Sequence, residues 1–433
     1  MAISQNFPEE GPTLNLNFAG SKVLDPRITF SRSSVGTYMD ANGLVATAST
    51  DSPRFDHRYV NGEVESLGLL VEEQRTNVLE QSVATTSNWT GSTSNTTYSN
   101  LSLNALGIFP GVEVTSTTGA AWHRRTTGSN VPFVSGTKYA VTFYYREGTS
   151  GYVRLQFRYN SQESLVQGPA DGSSWYIQQN IGSITNVTTT LMDGQSTYKT
   201  SYIFTPNFTG DADMGIGIGI ASAGTTVIAL GGQVEAGEFP TSYIPTSAGI
   251  STRGADNVTM TGTNFSDWYN QSEGTLYASA SILGKNIHTT GVEYPNGICK
   301  LSDTGSSLSF SRVLYFGGNS DPDRVSFGNR DSSSSITVVD NTFGDIQSNQ
   351  YYKVCGAYIT NDEQAMCLNG GDIKFNGTNV NPPTPNQLLI GTGYNGAIGN
   401  APGGDEMYLN GHISQLTYYP TRLSNTVLQN LTK

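Results

Sequence analysis

The sequence predicts an all-β protein built from several antiparallel β-sandwiches, and three observations carry that prediction. Glycine counts 49 of 433 residues and charged residues make up only 13%, a composition suited to short strands joined by many turns. Apolar and polar residues alternate in run after run, the period of a half-buried strand. A helical period shows in one place, close to the C-terminus. Aromatic residues reach 10% and recur inside the strand-like runs, so the chain has the material for packed cores.

Length suggests two or three domains at roughly 150 residues each. Residues 1–82 form a first unit. Leu14–Phe18 alternates like a strand, Thr37–Met39 and Leu44–Ala46 flank the turn-rich Asp40–Gly43 as a hairpin would, and Leu67–Val71 is another short strand. This unit is small for a core of its own and is expected to pack on its neighbours or to dock. Residues 83–246 form a second unit. Tyr139, Val141, Phe143 and Tyr145 give one apolar face, as do Val153, Leu155, Phe157 and Tyr159, and Glu147–Gly151 joins the two runs. They read as an antiparallel pair whose other face is polar and rich in arginine. Met214–Ile220 puts glycine on one parity, which suits close backbone approach.

Residues 247–433 form a third unit, with strand candidates Thr275–Ile282, Leu308–Phe310, Val325–Gly328, Tyr352–Ile359, Gln364–Leu368, Leu388–Ile390 and His412–Tyr418. Leu423–Leu431 reads as a closing helix: Ser424 is a natural N-cap, and Leu423 and Leu428 occupy the positions of a hydrophobic staple. No internal repeat, heptad array or collagen-like tract appears.

Several ordered stretches resemble structural proteins of tailed bacteriophages. Ile28–Ser34 (ITFSRSS), Thr37–Gly43 (TYMDANG), Pro53–Asp56 (PRFD) and Leu67–Asn77 (LGLLVEEQRTN) resemble the N-terminal module of phage head-spike and tail-fibre-like proteins. The stretch from Asn77 through Ser87–Thr90 (SNWT), closing with Gly232–Thr246 (GQVEAGEFPTSYIPT), resembles their jelly-roll carbohydrate-binding modules. Arg253–Asp256 (RGAD) and Gly411–Ser424 (GHISQLTYYPTRLS) resemble the last strand and closing helix of a concanavalin-like (laminin-G-type) sandwich. The resemblance implies a fibre or spike on a virion, in contact with other virion proteins, a homotrimer, and host-surface polysaccharide as a partner. The alternatives are a purely structural capsid decoration or head-fibre protein, and a glycan depolymerase.

Charge and composition narrow the partners. Net charge is −12, and the densest basic pair is Arg124-Arg125, so nucleic acid and anionic membrane are not expected partners. Three cysteines, Cys299, Cys355 and Cys367, are too few and too odd in number for a disulfide scaffold, although Cys355 and Cys367 face each other if they lie on one hairpin. The first ten residues carry neither a basic nor an apolar signal region, and no apolar run approaches the ~20 residues of a membrane span. Assembly in a host cytoplasm without an export signal, followed by residence on a particle, is the expected route.

No catalytic residue stands out. The acidic pairs Glu72-Glu73, Asp211/Asp213 and Asp321/Asp323 sit in no hydrolytic motif, the four histidines are scattered, and neither a nucleophile elbow nor a phosphate loop is present. Glu72 and Glu73 read as partners of Arg54 or Arg75, and a non-enzyme is expected. Asp211 and Asp213, following Asn207, offer hard oxygen ligands to a structural calcium, with a solvated acidic turn as the alternative. For sugar binding, the outward parity of the second unit offers Tyr144, Arg146, Tyr152, Arg154, Gln156 and Arg158, with Trp122, His123 and Trp175 nearby: aromatic faces to stack on sugar C–H groups and planar polar groups to read hydroxyls. The same composition suits a protein interface. Trp268, Tyr315 and Tyr394 are weaker candidates in the third unit.

Overall fold

The computed structural model describes residues 11–89, 91, 95–118, 131–219, 222–287, 293–303, 311–317, 324–330, 336–342, 346–377, 381–392 and 407–433. The protein is all-β, with three short helices and antiparallel pairing in every ladder among the described residues. Two sandwiches account for most strands. The strand candidate Leu308–Phe310 lies outside the described residues.

The first sandwich packs a five-stranded sheet on a six-stranded one. The five-stranded sheet runs Val131–Phe133, Gly210–Ile218, Tyr152–Tyr159, Gln162–Pro169 and Tyr176–Gln179. The six-stranded sheet runs Gly182–Leu191, Thr197–Pro206, Tyr139–Arg146, Thr226–Ala236, Val112–Ser116 and Thr96–Asn100. Alternation along each strand sends one parity inward: Val141, Phe143 and Tyr145 meet Val153, Leu155 and Phe157 in one core with Phe133, Tyr202 and Phe204. Phe157 stacks on Phe204 at 5.1 Å between ring centroids, and Phe133 meets Phe157 edge-on at 4.9 Å.

One expectation is corrected here. Tyr139–Arg146 and Tyr152–Tyr159 are not hydrogen-bonded to each other. The first pairs with Thr197–Pro206 and Thr226–Ala236, the second with Gln162–Pro169 and Gly210–Ile218. Glu147–Gly151 is therefore a crossover between sheets, and Gly148 lets it pass against the neighbouring strand: a Cβ there would lie 2.3 Å from the Thr226 carbonyl oxygen.

The second sandwich draws on both ends of the chain. Its eight-stranded sheet is ordered Lys374–Asn376, Gln364–Leu368, Tyr352–Ile359, Glu273–Ile282, Gly411–Tyr419, Glu63–Val71, Phe55–Val60, with Leu14–Leu16 also paired to Gly411–Tyr419. Its seven-stranded sheet is ordered Thr29–Ser31, Asn257–Thr261, Gln387–Ile390, Asn296–Ser302, Arg312–Phe316, Arg324–Arg330, Ile336–Thr342. Leu14, Leu16, Phe18, Leu69 and Val71 share one core with Ile298, Phe316, Phe327 and Leu416. The N-terminal segment thus completes this sandwich strand by strand, and its few apolar residues are buried in a core they could not form alone. The helix Asn425–Leu431 caps the sheet, with Ser424 accepting from the Val427 amide at 3.4 Å and Leu423 and Leu428 buried together against Tyr277 and Tyr419.

The first sandwich enters and leaves through a narrow neck. Arg75–Asn77 pairs antiparallel with Ser251–Arg253, so the chain departs and returns side by side. Cys355 and Cys367 are cross-strand neighbours on one hairpin, and all three cysteines are free, buried thiols.

Candidate functional site

The residues expected to form one sugar-binding face are divided between two sheets. Tyr144 and Arg146 lie on the outer side of the six-stranded sheet, which faces the second sandwich. Tyr144 is buried there against Phe109, Leu230 and Tyr243, and Arg146 pairs with Asp193 at 3.2 Å. Tyr152, Arg154, Gln156 and Arg158 lie on the outer side of the five-stranded sheet, across the core. They form a real row, because their inward neighbours Val153, Leu155 and Phe157 are all in the core. Arg154 and Gln156 are nevertheless buried: Arg154 bonds Gln156 Oε1 at 2.7 Å and Gln167 Oε1 at 3.1 Å, and pairs with Glu163. Trp175 is half-buried at the edge of the core, over Gly168. Trp122 and His123 lie outside the described residues, as do Tyr394, Asp321 and Asp323. Trp268 and Tyr315 are core residues, 3% exposed each, so neither is free to meet a ligand.

The face gains a residue that sequence reasoning missed. Tyr176 is 62% exposed and stands in register with Gln167, which is itself opposite Arg154. Tyr176, Gln167 and Arg154 therefore make one line across three strands, closed by Gly217 on the fourth. Asp211 and Asp213 project from the same side of Gly210–Ile218. Arg158 lies opposite Asp213, whose pKa burial raises against the pull of Arg158. Among the described residues no group of three or more His, Cys, Asp or Glu side chains gathers as a metal site.

Five of the stretches that resemble phage proteins converge on one buried ion network. Arg54 Nη1 meets Glu72 Oε2 at 2.7 Å, and its Nη2 bonds Asp256. Arg32 Nη1 meets Asp256 Oδ1 at 3.0 Å, and Arg253 Nη1 meets Glu72 Oε2 at 3.1 Å. Ser242 donates its amide and hydroxyl to Glu72, both at 2.7 Å. Glu235, hydrogen-bonded by Thr241 and Gln233, supplies a third buried carboxylate near Arg253. Three guanidinium groups thus face three carboxylates. Burial alone would raise the Glu72 pKa, but Arg253, Arg54 and the Ser242 hydrogen bonds overcome that and hold it at about 2. Glu73 pairs with Arg75. Glu72 and Glu73 are structural ion-pair residues, as their sequence context indicates.

Beside this network, a cleft of about 400 Å³ opens between the two sandwiches. Its floor is one row of the six-stranded sheet, Thr190, Lys199 and Tyr144, in register. Its opposite wall is the edge strand Phe55–Val60 with Tyr38, Met39 and His412. Asp56 Oδ1 accepts the Met39 amide at 2.7 Å and Oδ2 pairs with His412 Nε2 at 2.8 Å. His57 Nδ1 lies 3.0 Å from the Met39 carbonyl oxygen and so donates to it, which leaves Nε2 of the neutral ring as an acceptor. That Nε2 is buried with no hydrogen-bond partner among the described residues. Among the described residues, Asp56 is the one carboxylate on the cleft's lining.

No family model matches the chain, and no curated protein matches it. Among solved structures it is similar to a native heptameric SAP-like pentraxin from Limulus polyphemus, at 16% identity over 37% of this chain and 70% of that one, with a TM-score of 0.28. It is similar to domains LG4-5 of the mouse laminin α1 chain at 9% identity, over 82% of this chain and 91% of that one, with a TM-score of 0.25. It is also similar to the receptor binding domain of botulinum neurotoxin type G at 10% identity and a TM-score of 0.28, where the match spans 41% of this chain and 39% of the toxin domain. Superposition at this level assigns no residue a role.

Proposed function

We propose that the chain is a non-catalytic attachment protein of a tailed-phage particle, a fibre or spike that binds host-surface glycan on the outer face of its five-stranded sheet. The observation that carries the binding part is the line Tyr176, Gln167 and Arg154. An exposed aromatic ring stands beside polar groups whose positions are fixed by neighbouring side chains, which is what stacking on a sugar ring and reading its hydroxyls require. Attachment to other virion proteins, and a homotrimeric state, follow from the sequence resemblance. A depolymerase is disfavoured by the cleft, since glycoside hydrolysis uses two carboxylates flanking the bond and, among the described residues, its lining offers one, Asp56, already paired with His412.

The test is a glycan array with the full chain and with Tyr176→Ala. Loss of one stacking ring is expected to weaken binding about tenfold, roughly 1–1.5 kcal/mol, without moving the melting temperature, because the ring is mostly in solvent. Binding by both proteins alike would remove this face from consideration. Arg154→Ala is a poor probe, since it strands Glu163 and disturbs the sheet itself. Locating the chain in particles by electron microscopy checks the attachment part; its absence from the particle would overturn that part.

A further inference from the structure

We infer that the cleft between the sandwiches is a second binding site, and that it takes a carboxylate-bearing sugar, with the Lys199 ammonium holding the carboxylate and His57 Nε2 accepting a ring hydroxyl. The inference stands apart from the sheet face, which lies on the far side of the first sandwich's core.

Lys199 is the first observation. It projects from the outer side of the six-stranded sheet between Thr190 and Tyr144. No hydrogen bond or ion pair within the described residues reaches its Nζ, in contrast to the arginines of the adjoining network, each of which meets a carboxylate. Burial holds its pKa below the ordinary lysine value, although Glu235, Asp56 and Glu72 pull the other way from a distance. A part-buried ammonium on the cleft's floor, without a direct partner among the described residues, is a site that gains from an incoming anion.

His57 is the second. It lines the cleft at 6% exposure, its Nδ1 proton is committed to Met39, and its buried Nε2 has no hydrogen-bond partner among the described residues. A bare acceptor needs a donor, and a carboxylate supplies none. A ligand that satisfies both groups carries an anion and a hydroxyl. Tyr38 and Tyr59 add ring surface along the same walls, which suits the C–H faces of a sugar. The volume of about 400 Å³ falls at the lower end of ligand pockets, roughly 300–1,000 Å³, enough for a small saccharide and too little for a polymer chain in full.

The test is calorimetric titration of the full chain with galacturonate, glucose and acetate, each in the millimolar range. Galacturonate is expected to bind and glucose and acetate to bind at least about tenfold more weakly, since each lacks one of the two paired groups. Lys199→Met should weaken galacturonate about thirtyfold, the worth of a charge-assisted hydrogen bond, and leave the β-sheet circular dichroism unchanged. Leu191→Trp, at a position 39% exposed on the cleft's rim, should block entry without touching the buried groups. Tyr176→Ala should leave galacturonate binding intact. Absence of galacturonate binding, equal binding of glucose or acetate, or indifference to both Lys199→Met and Leu191→Trp would overturn the inference. A glycan signal on the array that Tyr176→Ala abolishes would then still stand for the sheet face.

Discussion

Glu72 shows how much a single buried carboxylate can carry. It receives Arg54, Arg253 and two donors from Ser242, so Glu72→Gln leaves two guanidinium groups short of a counter-charge. A loss of about 3–5 kcal/mol is expected, the cost of breaking a buried pair from one side, read as a lower urea midpoint. The same residue sets an acid limit. Its folded pKa is about 2 against an ordinary 4.5, so its contribution is fully present above 4.5 and is lost as pH falls through about 2. The urea midpoint of the native chain should therefore drop across that window, and the drop should be smaller in Glu72→Gln; an equal drop in both would show that other groups govern the acid limit. Pairing of Glu72 with Arg54 is legible in the sequence because both sit in short motifs rich in opposite charge. The roles of Asp256 and Ser242 are not, since they lie 184 and 170 positions beyond Glu72, and Arg32 joins only through Asp256, 224 positions away; nothing local marks their convergence. Lys199 is silent for the same reason: along its strand it is one polar residue in an alternating run.

At the level of the element, periodicity identified strands well and their partners poorly. Tyr139–Arg146 and Tyr152–Tyr159 both have the alternation expected, yet alternation reports which side chains face the core and says nothing of which strand lies alongside. A five-residue joint can close a hairpin or cross to the opposite sheet, and Gly148 is the local sign of the second. The C-terminal helix was legible in full, because a cap and a staple are written in adjacent residues. Leu428 is fully buried and Ser424 caps through its side chain. Leu428→Ala is expected to cost about 2–4 kcal/mol and Ser424→Ala about 1 kcal/mol, measured by denaturant unfolding. Equal effects from the two would mean that the helix docks through its cap and not through its apolar face. Tyr176 escaped notice because the strand that carries it is short and follows a Gly-Ser-Ser segment that reads as loop.

For the whole molecule, composition gave the all-β class and its sandwiches, while the participation of residues 14–71 in the far sandwich could not be read from it. Strand pairing between chain ends leaves no mark on local pattern. A chain beginning at residue 83 would lack Leu14–Leu16, Thr29–Ser31, Phe55–Val60 and Glu63–Val71, opening edges on both sheets of the second sandwich. Such a chain is expected to aggregate, or to keep only the first sandwich folded, in size-exclusion chromatography and limited proteolysis. Recovery of a monodisperse, protease-resistant second sandwich would contradict that. The weave also imposes a timetable on synthesis. Asn15 is hydrogen-bonded to Thr417, 402 positions downstream, and at roughly 5–20 residues per second a ribosome needs on the order of 20–80 s to deliver the partner. The middle sandwich can close on itself during that wait, since its strands fall within one contiguous stretch. Leu14, Leu16, Leu69 and Val71 cannot. They emerge long before their partners and find their places late, so this segment spends its early life as an unclaimed apolar stretch, in the keeping of whatever chaperones attend its synthesis.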